Sequence, residues 1–280
     1  MRRPSRSRPP GEAGSALPVR HAALLGLLHG PAELLPISSS GHTELVPWLL
    51  DWPYAELDPE LRKAFGVALH AGTAAGLLIA LRGEVGEAAR DLDRRRVTLI
   101  ALSFLPPAVM GLRFERTIEE RLGTPGSIAA GLVLGSVLMV VADRVGPQER
   151  TRDEAGAADA LALGLGQAAA LIPGVSRNGA SLAAVRLRGF KRTDANALSR
   201  HVALPVIVGA SLLKGTRLAR RGLPPGIAAA FAVGTAASFA STLASAWIVR
   251  KVERDRSPAP YALYRVALAG VVAARLRRRR

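Results

Sequence analysis

Two short polar stretches interrupt otherwise apolar sequence, and both carry groups that do chemistry. The first, ELLPISSSGH at 33–42, offers a carboxylate (Glu33), three hydroxyls (Ser38, Ser39 and Ser40) and an imidazole (His42). Pro36 stops the incoming helix and frees carbonyls. The serines suit the cap of the next helix, whose N-terminal N–H groups attract anions. Glu33 and His42 can move protons, so the set suits acyl or phosphoryl transfer. Each residue alone has a plainer reading as a cap or a satisfied interior group. Glu33 resists it, because an intramembrane carboxylate costs roughly 3 kcal/mol on insertion scales and marks function by default.

The second stretch, PGVSRNGAS at 173–181, places Arg177 between apolar runs. A planar guanidinium suits bidentate binding of a phosphate. Ser176, Asn178 and Ser181 add hydrogen-bonding groups, and Gly174 and Gly179 let backbone approach a ligand closely. Gln167 stands in the preceding helical segment and is a further candidate for the same site. Together the stretches read as a phosphate-handling site at the membrane, with the apolar part of the substrate in lipid or between helices.

The elements that position these residues follow from hydropathy. The 280 residues are 49% hydrophobic with a mean hydropathy of +0.20, which points to an all-α polytopic membrane protein. Apolar runs at 64–81, 97–112, 128–142, 195–213, 227–249 and 259–274 are expected to span the bilayer. The broken segments at 21–50 and 159–185 have halves too short to cross, so each is expected to form a re-entrant helical hairpin. The order is hairpin, three spans, hairpin, three spans. It predicts a single membrane domain over 21–274, made of inverted repeats at 21–143 and 158–274, with both breaks near the pseudo-two-fold axis. Residues 1–20 are expected to be a disordered basic tail and 275–280 a short basic one.

The formal net charge is +16, and the arginines fall in clusters between apolar runs. That layout suits loops facing anionic head groups and argues against nucleic acid as a partner. Loops at 82–96, 144–152, 186–192 and 250–256 carry more Lys and Arg than those at 113–121 and 214–221, which favours the first set as cytoplasmic and the termini as external. The absence of cysteine excludes disulfides and thiolate chemistry.

The first motif resembles the E-F-L-P-[IV]-S-S-[ST]-G-H signature of the undecaprenyl-diphosphatases, the BacA/UppP family. The second resembles that family's P-G-x-S-R-S-G-x-[ST] signature, and FGVALHAGTAAGLLIALR and DALALGLGQAAALIPG are similar to its stretches at those places. The resemblance implies an integral-membrane phosphatase of the bacterial plasma membrane, its site open to the outer face. It would hydrolyse undecaprenyl diphosphate to undecaprenyl phosphate and inorganic phosphate, recycle the lipid carrier for envelope synthesis and confer bacitracin resistance. It also implies a divalent metal, magnesium or calcium, and is compatible with a homodimer. Carried onto this chain, Arg177 clamps the diphosphate. Ser39 is the nucleophile with His42 as its base, or His42 is itself the nucleophile. Glu33 holds the metal or shuttles a proton. Ser38, Ser40, Gly174, Ser176 and Ser181 occupy matched positions.

Three departures stand out. His29 replaces the acid or glutamine expected four residues before Glu33, keeping the i, i+4 geometry and the capacity to ligate a metal. Asn178 replaces a serine, and His70 stands where a glutamine is common. The competing reading is a lipid-phosphate flippase or transporter, since inverted repeats with broken helices are also a transporter architecture. A transporter, however, has no use for a Ser, His, Glu and Arg set of this kind.

Overall fold

In the computed structural model the residues described are 16–83, 86, 90, 93–145, 147–224, 226–252 and 257–279. Most of the expected basic tail, at 1–15, lies outside them. Among the described residues there are ten α-helices, and one isolated bridge between Arg150 and Phe190 is the only β pairing. They are α1 (Val19–Leu34), α2 (Ser39–Leu49), α3 (Pro59–Ala80), α4 (Arg94–Leu122), α5 (Pro125–Arg144), α6 (Ala157–Ala169), α7 (Arg177–Leu187), α8 (Arg192–Arg221), α9 (Ala228–Val252) and α10 (Ala259–Arg278). By length and composition α3, α5, residues 94–114 of α4 and residues 228–246 of α9 suffice to cross a membrane. The expected span at 195–213 lies within α8 and that at 259–274 within α10, where Arg265 interrupts the apolar run.

Each broken segment doubles back on itself. The chain leaves α1 at Leu34, turns through Pro36 and re-enters helix at Ser39. The outer ends of α1 and α2 lie together, because the His21 ring stacks on Trp52 with centroids 3.9 Å apart. The second segment closes the same way: Asp159, in the first turn of α6, accepts from Arg188, just beyond α7, at 2.8 Å.

The mouths of the two segments face opposite ends of the molecule. Ile128 and Leu132 early in α5 pack on Ala269 and Val272 late in α10, so these helices are antiparallel. At the C-terminal end of α10, Arg275 and Arg279 pair with Asp51 just after α2, and the Arg275 guanidinium holds that carboxyl below the ordinary carboxylate range. At the C-terminal end of α5, Asp143 is clamped by Arg186 and Arg192, which flank the end of α7.

Helices exchange partners between halves, α1 packing on α9 and α6 on α4. Small residues permit this. A Cβ on Gly26 of α1 or Gly72 of α3 would run into the carbonyls of Gly234 and Thr235 on α9. Close backbone approach is how helices associate where lipid removes the hydrophobic drive between them. An apolar cluster including Leu17, Leu25, Tyr54, Phe65, Leu69 and Phe231 locks α1, α3 and α9 together at the open end of the first segment.

Candidate functional site

Glu33 lies one residue before the end of α1, where Pro36 has cut the helix short. Ser39, the first residue of α2, donates its hydroxyl to Glu33 Oε2. Arg177, the first residue of α7, donates from Nη2 to Glu33 Oε1. One carboxylate therefore ties the two breaks together across 144 positions of sequence. Arg177 is held further by the Ala203 carbonyl of α8 at 3.3 Å. The pair is largely shielded, with 20% of the Arg177 side chain and 6% of the Glu33 side chain exposed. Asn178 closes the same seam, its Nδ2 donating to the Leu34 carbonyl at 2.8 Å while its Oδ1 accepts from Ser199. It thus satisfies a carbonyl left over at the C-terminal end of α1.

The two breaks share a backbone device. Ser38 and Ser176 are non-glycine residues with positive φ, 76° and 72°, and each is the N-cap of the helix that follows. Each side chain accepts from the backbone N–H three residues on, of Gly41 and Gly179 respectively, at 3.3 Å. Left-handed conformations of this kind cost roughly 1–3 kcal/mol and gather at functional sites. Gly174, with φ +94°, lets the second break lie flat on α5, where a Cβ would collide with the Ile128 carbonyl.

His42 is buried but directed away from Ser39. Its Nδ1 bonds the Ser38 carbonyl at 2.7 Å, so Nδ1 carries the proton, and Nε2 accepts from the Tyr264 hydroxyl at 2.7 Å. The hydroxyl partner of Ser39 is Glu33. Gln167 is directed elsewhere too: it donates to the Ser103 carbonyl on α4 at 3.2 Å and meets no other candidate residue through that bond. Ser40 is exposed, its carbonyl accepting from Thr43, and Ser181 is buried in the second turn of α7.

Two residues with structural claims on the site were not picked out in sequence. Arg265 of α10 is fully buried and donates to the carbonyls of Pro36, Gly174 and Val175 at 3.3, 2.9 and 2.9 Å. It gathers backbone from both breaks with one guanidinium. Tyr264 beside it stacks on His42 at 5.6 Å. The available signal was an arginine inside an apolar span, the same signal that marked Arg177.

His29 and His70 complete the cluster. His29 is one turn before Glu33 on α1, and His70 of α3 brings Nε2 to 3.5 Å from Glu33 Oε2. Ligand atoms of all three lie within 4.8 Å of one another. His29 Nε2 is buried without a hydrogen-bond partner, in a ring that packs edge-on to His70 with centroids 4.5 Å apart. These residues fit a divalent cation.

The family profile described as "Bacitracin resistance protein BacA" matches residues 22–271. The chain belongs to the BacA family. Within it, the chain is 38% identical over 271 residues to the undecaprenyl-diphosphatase of Geobacter sulfurreducens, covering 92% of this chain and 98% of that one. It is 37% identical to that of Pelobacter propionicus, over 90% and 95% of the two chains, and 38% identical to that of Trichlorobacter lovleyi, over 90% and 94%. The BacA match takes in both breaks and every residue placed at the site. Beside the second break, Met110, Phe114 and Ile118 of α4 face Leu165, Ala168 and Ile172 across an apolar groove of about 460 Å³. The groove reaches the residue before Pro173, where the second break begins.

Proposed function

We propose that this protein is an undecaprenyl-diphosphate phosphatase of the bacterial plasma membrane. It hydrolyses the lipid diphosphate to undecaprenyl phosphate and inorganic phosphate, with its site open to the outer face. The observation that carries the reading is the meeting of Ser39 and Arg177, from two separate breaks, on the Glu33 carboxylate. A transporter needs binding groups but no hydroxyl engaged with an acceptor for its proton. The relatives named as phosphatases weigh the same way.

In this reading the terminal phosphate displaces Glu33 from part of the Arg177 fork, and Arg177 stabilises charge on the transferring phosphoryl group. Ser39 Oγ attacks the terminal phosphorus. The bond from that phosphorus to the bridging oxygen breaks, and undecaprenyl phosphate leaves. The Ser39 proton passes to Glu33 and from there to the departing oxygen. Water then attacks the phosphoserine, its hydroxide joining phosphorus and its other proton restoring the Ser39 hydroxyl through Glu33. A divalent ion bound by His29, Glu33 and His70 would offset the negative charge of the diphosphate. The apolar groove between α4 and α6 suits the prenyl chain, since it opens beside the break that carries Arg177.

His42 stands as the supporting residue that sets the Ser38 turn, rather than the base. The test is phosphate release from undecaprenyl diphosphate by purified protein in detergent. Ser39→Ala is expected to lose at least about 100-fold in kcat, the lower range of nucleophile or general-base loss. An acid-stable phosphoserine should be trapped on the wild type. Recovery of an acid-labile phosphohistidine at position 42, with Ser39→Ala active, would overturn this assignment.

A further inference from the structure

The side chains around His29 decide its tautomer, and with it what the site can bind. The chain of hydroxyls starts at the Leu69 carbonyl, which only accepts. Ser238 donates to it at 2.8 Å, so the Ser238 proton is committed. Ser238 Oγ and Thr73 Oγ1 are 2.8 Å apart, so Thr73 must be the donor in that pair. Its proton is then committed as well, and Thr73 Oγ1 accepts from His29 Nδ1 at 2.9 Å. The proton of neutral His29 therefore sits on Nδ1, and Nε2 presents a bare lone pair.

His70 is oriented the same way by a different partner. Its Nδ1 lies 2.8 Å from the Gly66 carbonyl, which can only accept, so a proton is on Nδ1 and in the neutral ring Nε2 is the free nitrogen. Two imidazoles, each anchored through Nδ1, thus keep Nε2 for another partner, and one ligand atom from each histidine and one from Glu33 lie within 4.8 Å of one another. The His70 Nε2 to Glu33 separation of 3.5 Å is longer than an ordinary N–H···O bond. A buried lone pair with no partner, such as His29 Nε2, is destabilising unless something fills the gap. Anchoring the distal nitrogen is how proteins orient metal-binding histidines.

We infer that His29, His70 and Glu33 form a two-histidine, one-carboxylate centre for a borderline transition ion of the zinc class, in preference to magnesium or calcium. Magnesium and calcium take oxygen ligands, whereas imidazole suits zinc, cobalt and iron. Three protein ligands leave a position open for a phosphate oxygen or water. The open side is that of His70, whose side chain is 35% exposed while Glu33 is 6% exposed. The site is shared with the proposed phosphatase, but the inference concerns ion binding alone and needs no substrate.

The experiment uses the full chain in detergent, stripped with chelator and titrated calorimetrically with zinc and separately with magnesium. Cobalt serves as a spectroscopic probe through its visible d–d absorption. Zinc is expected to bind at least about 100-fold more tightly than magnesium, and cobalt to give the intense band of a low-coordinate nitrogen-containing site. His70→Ala, at the more open ligand, should abolish the band. Thr73→Val, which removes only the anchor of His29, should weaken zinc about 10–100-fold, the usual cost of losing such a partner. Equal affinity for zinc and magnesium, or an unchanged cobalt spectrum in a folded His70→Ala, would overturn the inference. Zinc binding without phosphate release would overturn only the phosphatase reading, and phosphate release without zinc preference only this one.

Discussion

Replacing Arg177 probes the contact on which the site turns. Its guanidinium serves two anchors at once, Nη2 on Glu33 and Nη1 on the Ala203 carbonyl. Arg177→Lys keeps the charge, but a single ammonium on a flexible stem cannot reach both with the same fork. One charge-assisted hydrogen bond is then lost, roughly 1.5–3 kcal/mol. At about 1.4 kcal/mol per tenfold in rate, kcat should fall roughly 10- to 150-fold. Arg177→Ala removes the charge as well, and loss of an arginine that stabilises a transferring phosphoryl group is worth about 10³- to 10⁵-fold. It also strands a shielded carboxylate. Removing one partner of a buried pair costs about 3–5 kcal/mol, a figure that partial exposure of Arg177 reduces. The assay is initial-rate phosphate release from undecaprenyl diphosphate in detergent, with thermal melting alongside to separate lost chemistry from lost fold. Adding Glu33→Gln to Arg177→Ala should cost less than the two single losses multiplied, because the second change relieves the stranded charge. Wild-type kcat in a folded Arg177→Ala, or strict additivity in the double variant, would refute the reasoning.

Two further outcomes follow from the backbone around the breaks. Ser176→Gly should leave melting nearly unchanged, since glycine adopts the positive φ freely and costs only a few tenths of a kcal/mol as an N-cap. Ser176→Ala keeps the strain and loses the cap, so it should destabilise by roughly 0.5–2 kcal/mol in chemical or thermal denaturation; equal effects would mean the conformation is not strained. Arg265→Ala leaves three buried carbonyls without their donor, each omission costing roughly 1–3 kcal/mol, and should lower both melting temperature and kcat. Arg265→Lys should recover most of the melting temperature but not kcat, with KM little changed, because one ammonium cannot hold both breaks in register; full kcat in Arg265→Lys would remove its positioning role.

Much of this site was legible in sequence because its signals are local. Proline, glycine and serine at membrane depth announce broken helices wherever they occur. That is why the segments at 21–50 and 159–185 were recognisable without knowing what surrounds them. Glu33 and Arg177 were recognisable for the same reason, as charges in apolar company. What those signals lack is partner choice. Ser39 and His42 are three residues apart on one helix start, and either could have served the other. The outcome was set by Tyr264, more than 220 positions away, which takes the His42 Nε2 and leaves Ser39 to Glu33. Gln167 shows the converse. Its place in the helix before Arg177 suggested the site, yet the close packing of α6 on α4 gave it the Ser103 carbonyl.

Arg265 carried the same local signal as Arg177 and was passed over because nothing around it looked like a motif. Its neighbours are apolar, so it reads as a lone charge in a span. A lone guanidinium needs several acceptors, and a helical carbonyl, already bonded along its helix, has one lone pair left to offer, as Ala203 offers it to Arg177. Three acceptors together come more readily from backbone that is not helical, and the three carbonyls that Arg265 meets all belong to the two breaks. A buried arginine with no acid on its own helix face therefore points to interrupted helices nearby, and Arg265 could have located both breaks from the opposite direction. The reasoning runs one way only. It says that backbone carbonyls converge on Arg265, as those of Pro36, Gly174 and Val175 do, and it predicts that any substitution restoring helix through Pro36 would strand Arg265 along with the site.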